Sequence, residues 1–205
     1  MHKSVSSGKR DAACRATTET LHGHFRNHIV PAHPDKIAVQ NANCPDQCLT
    51  FNELNRLSNR KARALGRMVD STKSSEVSPL IAVRFDPNID LIVTLLGILK
   101  AGFCYLPIAP DWPEDRIEYL LQDAKPSCII TNKTDYQPAS TVLVQYDDLN
   151  DDYDADFEAA ATAEEFAVMY TSGSSGRPKA GLFFVRTIFV QNGNCSPFLE
   201  LTPTL

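Results

Sequence analysis

Leu80 to Thr131 constrains the fold more than any other part of this chain. "LIAVRF" has the β-branched, apolar character of a short buried strand. "NIDLIVTLLGILKAG" is an apolar helix stopped by Gly102, and "FCYLPI" is strand-like again. "DWPEDRIEYLLQDAK" is a second helix, with Asp111 expected to cap it and Pro113 in its first turn, and "SCIIT" returns to a strand. Strand, helix, strand, helix, strand is the pattern of right-handed βαβ units, which lay strands parallel in one sheet and cover it with helices. The expectation is an α/β fold with a mostly parallel sheet and flanking helices. "TVLVQY" (Thr141 to Tyr146) and "FAVMYT" (Phe166 to Thr171) add two strand candidates.

Upstream, residues 1–16 are small and polar and read as an unordered leader. Leu21, Phe25 and Ile29 recur every four residues, predicting an amphipathic helix over Glu19 to Ile29 that Pro31 and Pro34 end. "KIAVQ" and "CLTF" predict two strands around a turn-rich loop, NANCPDQ. Thr50 then caps a helix, with Glu53 completing a capping box and Leu49 stapling against Leu54. That helix puts Leu54, Leu57, Leu65 and Met68 on its apolar side and Arg56, Arg60, Lys61 and Arg63 elsewhere.

Asp147 to Glu165 carries nine carboxylates and no basic residue. It lacks the ligand order of a calcium loop, so it reads as an exposed, solvated linker. A net charge of −5, with Lys and Arg scattered, gives no electrostatic footprint for nucleic acid. No apolar run is long enough for a membrane span. The six cysteines are dispersed, which suits reduced thiols and a cytoplasmic setting.

"YTSGSSGRPKAG" (Tyr170 to Gly181) carries the chemistry. A strand that ends in a Gly/Ser/Thr-rich loop arranges N–H groups and hydroxyls around a small concavity suited to phosphate. Gly173 and Gly176 allow close approach; Thr171, Ser172, Ser174 and Ser175 offer hydroxyl donors; Lys179 adds a positive charge behind the stiff Pro178. The order is not that of a Walker loop, and on local chemistry alone a phosphate site and a plain turn stay level.

The same stretch resembles the phosphate loop of the adenylate-forming (AMP-binding) superfamily. "LTFNEL" (Leu49 to Leu54) and "LKAGFCYLPIAPDWPEDRIEYLLQDAKP" (Leu99 to Pro126) resemble upstream motifs of that superfamily in the right order. "GILKAG", "YLPIAP" and "PEDRIEYLL" resemble the amino-acid adenylation domains of nonribosomal peptide synthetases more than fatty acyl-CoA synthetases. "LLQDAKPSCII" and the SGSSG form of the loop are similar to insect-type β-alanyl amine synthetases. The resemblance implies the N-terminal part of an adenylation domain over residues 17–181. It also implies ATP and Mg²⁺, and a small carboxylic or amino acid that attacks the α-phosphate to give an acyl-adenylate and pyrophosphate. Thr171, Ser172, Gly173, Ser174, Ser175, Gly176 and Lys179 would then hold the β- and γ-phosphates.

The resemblance spans about Leu21 to Gly181. Family members read Pro-Lys-Gly after the loop, whereas Ala180 intervenes here, and no histidine follows His33. The Tyr-Gly-x-Thr-Glu stretch, the ribose-binding aspartate and the C-terminal subdomain with its catalytic lysine are not found in the sequence. Residues 182–205 therefore read as a divergent tail, and the chain as a truncated form without activity of its own. Within the tail, "LFFVRTIFV" reads either as one more buried strand or as an accidental apolar segment, the second being preferred. The alternative function is a non-catalytic nucleotide- or partner-binding fragment. A weaker one is a zinc module using His24 and His28, four apart on one helix face, with Cys44 and Cys48; their spacing departs from zinc-knuckle patterns, and no metal ligand is assigned. Trp112, Tyr105 and Cys104 read as packing residues, and Arg116 and Lys125 as surface charges.

Overall fold

The structure, a computed structural model, describes residues 20–69, 78–134, 136–153, 165–171, 179–186 and 198–202. Thr20 caps the first helical segment, its hydroxyl accepting from Gly23 N–H at 3.1 Å. α1 (Leu21–His24), a π turn (Phe25–Ile29) and α2 (Val30–Ala32) then run on without a break. The segment thus passes through Pro31 and stops at His33 and Pro34. The wider π turn makes room for a proline ring that would press on the carbonyl four residues back in a regular α-helix.

β1 (Ile37–Asn41) and β2 (Cys44–Thr50) form an antiparallel hairpin with register shifts. The expected seven-residue loop is mostly strand, with Ala42 and Asn43 alone making the turn. Side chains extend the pairing: Gln40 Nε2 donates to Pro45 O and Asn41 Nδ2 to Gln47 Oε1, both at 2.8 Å. Phe51, expected in the strand, is instead the first residue of α3 (Phe51–Met68), because the Thr50–Glu53 capping box forms as the sequence predicts. Thr50 N–H donates to Glu53 Oε2 at 2.8 Å and Glu53 N–H to Thr50 Oγ1 at 3.2 Å.

Among the described residues the main sheet has seven strands, ordered β6-β5-β3-β4-β7-β8-β9. β3 (Leu80–Arg84), β4 (Cys104–Pro107), β5 (Cys128–Thr131), β6 (Leu143–Gln145) and β7 (Glu165–Thr171) are parallel, confirming the mostly parallel α/β expectation. β8 (Lys179–Arg186) and β9 (Phe198–Thr202) extend the sheet antiparallel, so Leu182 to Arg186 of "LFFVRTIFV" form a paired strand of this sheet, correcting the preferred reading of an accidental segment. α4 (Ile89–Lys100) starts at Asn88, whose side chain accepts from Leu91 N–H at 2.9 Å, and the chain leaves it through Gly102 at φ 76°.

α5 (Glu114–Ala124) corrects a detail of the reading. Pro113, not Asp111, occupies the position before the helix, and no side chain caps it. Pro113 is extended, with ψ at 144°, so the helix begins only at Glu114 and Asp111 lies two residues before the cap position; Glu114 and Asp115 in the first turn face the positive end of the helix instead.

Strand alternation divides the core into two layers. Ile81, Val83, Phe85 and Ile130 face one side and pack with Leu65 of α3 and Ile98 and Leu99 of α4. Ala82, Leu106 and Ile129 face the other and pack with Ile117 and Leu121 of α5. α3 differs from its expected face in two places: Met68 is 51% exposed, whereas Lys61 is 3% exposed. The acidic segment is not wholly solvated either. Asp151 is buried; its Oδ1 accepts from Tyr153 N–H, and its Oδ2 meets Arg67 Nη2 at 2.8 Å as an ion contact off hydrogen-bond geometry.

Candidate functional site

Connectivity selects one edge of the sheet. β3 leads to β4 through α4 on one face, and β4 leads to β5 through α5 on the other. Adjacent strands whose connections leave to opposite faces open a crevice outside their carboxyl ends, where α/β sheets bind ligands. β7 lies beside β4, with Ala167 opposite Tyr105, so its own carboxyl end, Thr171, reaches the same edge.

Of the residues expected from the sequence to hold phosphate, Ser172, Gly173, Ser174, Ser175 and Gly176 lie outside the described residues, along with Arg177 and Pro178. Their two flanks are described. Thr171 ends β7 and Lys179 opens β8, and the two are paired in the antiparallel register. Lys179 is thus the first residue of a strand, and its backbone lies directly across from Thr171.

Neighbouring residues at this edge are held by polar contacts. Arg84, at the end of β3, donates from Nη2 to Pro110 O at 2.9 Å, and its guanidinium lies 4.5 Å from the Tyr136 ring centroid. Thr131 Oγ1 donates to Arg84 O at 2.7 Å, and Lys133 pairs with Asp86. Arg84 escaped the sequence reading; the available signal was a lone cation closing an apolar strand. Tyr170 OH donates to Asp123 Oδ2 at 2.6 Å, joining the end of β7 to α5. Trp112 is half-buried with the Arg116 guanidinium 4.1 Å from its ring centroid, so Arg116 is a stacked side chain.

The remaining candidates keep structural roles. Tyr105 and Cys104 are buried, as expected of packing residues, and burial pushes the Tyr105 phenol up to about 12. Burial likewise pushes the Cys128 thiol up to about 12, which removes it as a nucleophile at neutral pH. The His24 and His28 rings lie 4.8 Å apart, and among the described residues no group of three or more His, Cys, Asp or Glu side chains could hold a metal ion. Burial, then the positive charges of Lys100 and Arg26, lower His22 to about 4.

Two buried lysines fix the scaffold, and neither was foreseen. Lys100 Nζ donates to Asn55 O, Asn55 Oδ1, Ser58 Oγ and Asn59 Oδ1 at 2.6 to 3.0 Å, locking α4 onto α3. Lys61 Nζ donates to Tyr146 O at 2.8 Å and Asn150 Oδ1 at 3.2 Å and sits 3.6 Å from the Tyr146 ring centroid. Burial lowers Lys61 to about 8.

Comparison with known proteins agrees with this architecture. The family described as AMP-binding enzyme matches residues 27–195. Bacitracin synthase 3 of Bacillus licheniformis is 34% identical over 174 residues, which are 82% of this chain and 3% of that protein. The N-terminal subdomain of NpsA from Klebsiella oxytoca, solved with 3-hydroxyanthranilyl-AMSN, superposes with a TM-score of 0.69 at 19% identity, over 85% of this chain and 43% of that one. The nonribosomal peptide synthetase FmoA3, solved with AMPPNP, gives 0.68 at 24% identity, over 82% and 18%. This chain therefore spans a small part of the synthetase and under half of the solved subdomain. Among the described residues no helix is long and apolar enough to cross a membrane.

Proposed function

Because this chain belongs to the AMP-binding enzyme family, we propose that it forms the leading part of an adenylation domain and that Thr171 to Lys179 holds the phosphates of ATP. One observation carries the reading. Thr171 and Lys179 are paired at the carboxyl edge of a parallel sheet, beside a topological switch point, with a Ser/Gly-rich stretch between them.

The donor set fits an anion by composition: Thr171, Ser172, Ser174 and Ser175 carry hydroxyls, Gly173 and Gly176 have no side chain to obstruct a ligand, and Lys179 carries the charge. No carboxylate lies between Tyr170 and Gly181, so magnesium would come coordinated by the nucleotide's own phosphates. In a whole adenylation domain, a carboxylate oxygen of the amino acid attacks the α-phosphorus. The bond to the β-phosphate breaks, and pyrophosphate leaves with the electron pair. This chain's part is to hold the β- and γ-phosphates in line and to stabilise the charge that gathers on them. A second reading is nucleotide binding without turnover, for which the same donor set would suffice. The setting proposed is cytoplasmic.

The test is titration calorimetry of ATP with magnesium on folded chain. Binding that is lost in Lys179→Ala and in Gly176→Val supports the phosphate site. A folded chain that takes up no ATP refutes it. Pyrophosphate release dependent on an added amino acid would show turnover as well.

A further inference from the structure

We propose that Tyr170 and Asp123 form a tether that fixes the carboxyl end of β7 and so positions the mouth of the Thr171–Lys179 hairpin. The functional consequence rests on the phosphate-loop reading above; the tether itself does not. β7 meets the parallel core at Ala167, opposite Tyr105 of β4, three residues before Tyr170. Beyond that point its described ladder partners belong to β8, which is itself an added antiparallel strand. Tyr170 supplies the missing attachment: its ring packs partly buried against the core layer under α5, and its hydroxyl donates to Asp123 Oδ2 at 2.6 Å. Thr171 is the next residue along the chain.

The placement of Asp123 argues that this contact is more than incidental. Asp123 lies in the last turn of α5, where the helix dipole presents its negative end and a carboxylate is disfavoured, and no basic residue shares that turn. A short O–H···O⁻ bond offsets that unfavourable position. The helix ends just beyond Asp123 in a left-handed cap, with Lys125 at φ 48° and its N–H donating to Leu121 O at 2.9 Å. Asp123 thus offers an oxygen from the end of α5 to a strand end whose described ladder partners beyond Ala167 all lie on β8. Burial, then the bond to Asp123, raises the Tyr170 phenol, consistent with a proton held on tyrosine. Both are positioning residues; neither is placed against substrate.

Amide hydrogen exchange in the full chain, followed by NMR, tests the tether. Tyr170→Phe and Asp123→Ala should each speed exchange at Thr171 and Lys179 at least five-fold, with Ala82 and Ile129 unchanged. The double variant should be no faster than the faster single one. Asp123→Asn, which keeps an acceptor oxygen, should restore most of the protection. Unchanged exchange at Thr171 and Lys179, or an equal rise at Ala82 and Ile129, overturns the tether. Should Tyr170→Phe fail to fold, the Asp123 variants on the exposed helix side carry the test. ATP titration of the same proteins separates the two proposals. Affinity at least three-fold weaker in the variants ties the tether to phosphate binding. Absence of ATP binding by the unaltered chain refutes the phosphate reading, while the exchange data still decide the tether.

Discussion

Lys100→Met should destabilise the fold by about 3 kcal/mol. The ammonium now satisfies four oxygens on α3, and methionine fills similar volume without a donor. Ser58 Oγ still donates to Leu54 O and Asn55 O, and Asn55 O still accepts from Ser58, so those oxygens are not stranded. The side-chain oxygens of Asn55 and Asn59, at residues 7% and 2% exposed, lose their charged donor. A buried polar group left unpaired costs roughly 1–3 kcal/mol, so two cost about 2–6, and removing a buried charge returns part of that. For a chain of this length each kcal/mol lowers Tm by about 2–4 °C, giving a fall of about 6–12 °C. Urea denaturation followed by circular dichroism reads the free energy directly. The companion is Asn55→Leu/Asn59→Leu/Lys100→Met, which removes donor and acceptors together and should recover most of the loss. A single variant costing less than about 1 kcal/mol, or a triple variant worse than the single, would refute the claim that an unpaired polar site is the cause.

Two further outcomes follow from the same helix pair and the segment that leans on it. A Cβ at Gly97 would stand 2.8 Å from Lys61 Cβ and 3.2 Å from Ser58 O, so Gly97→Ala should push α4 off α3 and cost about 1–3 kcal/mol despite alanine's higher helix propensity, readable as a lower urea midpoint. His22 is held neutral, its folded value of about 4 lying below the ordinary 6.5, so the unfolded chain binds the extra proton between those values. Stability from His22 is therefore complete above pH 6.5 and is lost as pH falls toward 4; His22→Gln should flatten the pH dependence of the urea midpoint in that window, and an unchanged slope counts against it.

The sheet was legible because its parallel strands are buried on both faces and so read as unbroken apolar runs, "LIAVRF" and "SCIIT", separated by helices long enough to cross over. The α3 start was legible because a capping box is local: Thr50 and Glu53 satisfy each other three residues apart. Asp111 misled because local spacing cannot say where Pro113 takes its ψ, and Pro31 misled because a π turn is not written in apolar periodicity. Lys61 and Lys100 were unreadable as buried residues. Nothing near them in sequence announces Tyr146, Asn150 or the Asn55–Asn59 turn that receives their charges.

The Ser/Gly-rich composition of Tyr170 to Gly181, the order of the motifs and the alternation that builds a parallel sheet were determined by sequence alone, because each depends on residues close together in the chain. Tertiary structure decided which strand borders which. β7 joins at β4, far from it in sequence, and that choice sets Thr171 at the carboxyl edge and pairs it with Lys179. It also brought Tyr170 to Asp123, 47 residues away. Contacts across such separations depend on where whole elements pack, and packing is settled by the shared core rather than by any local pattern.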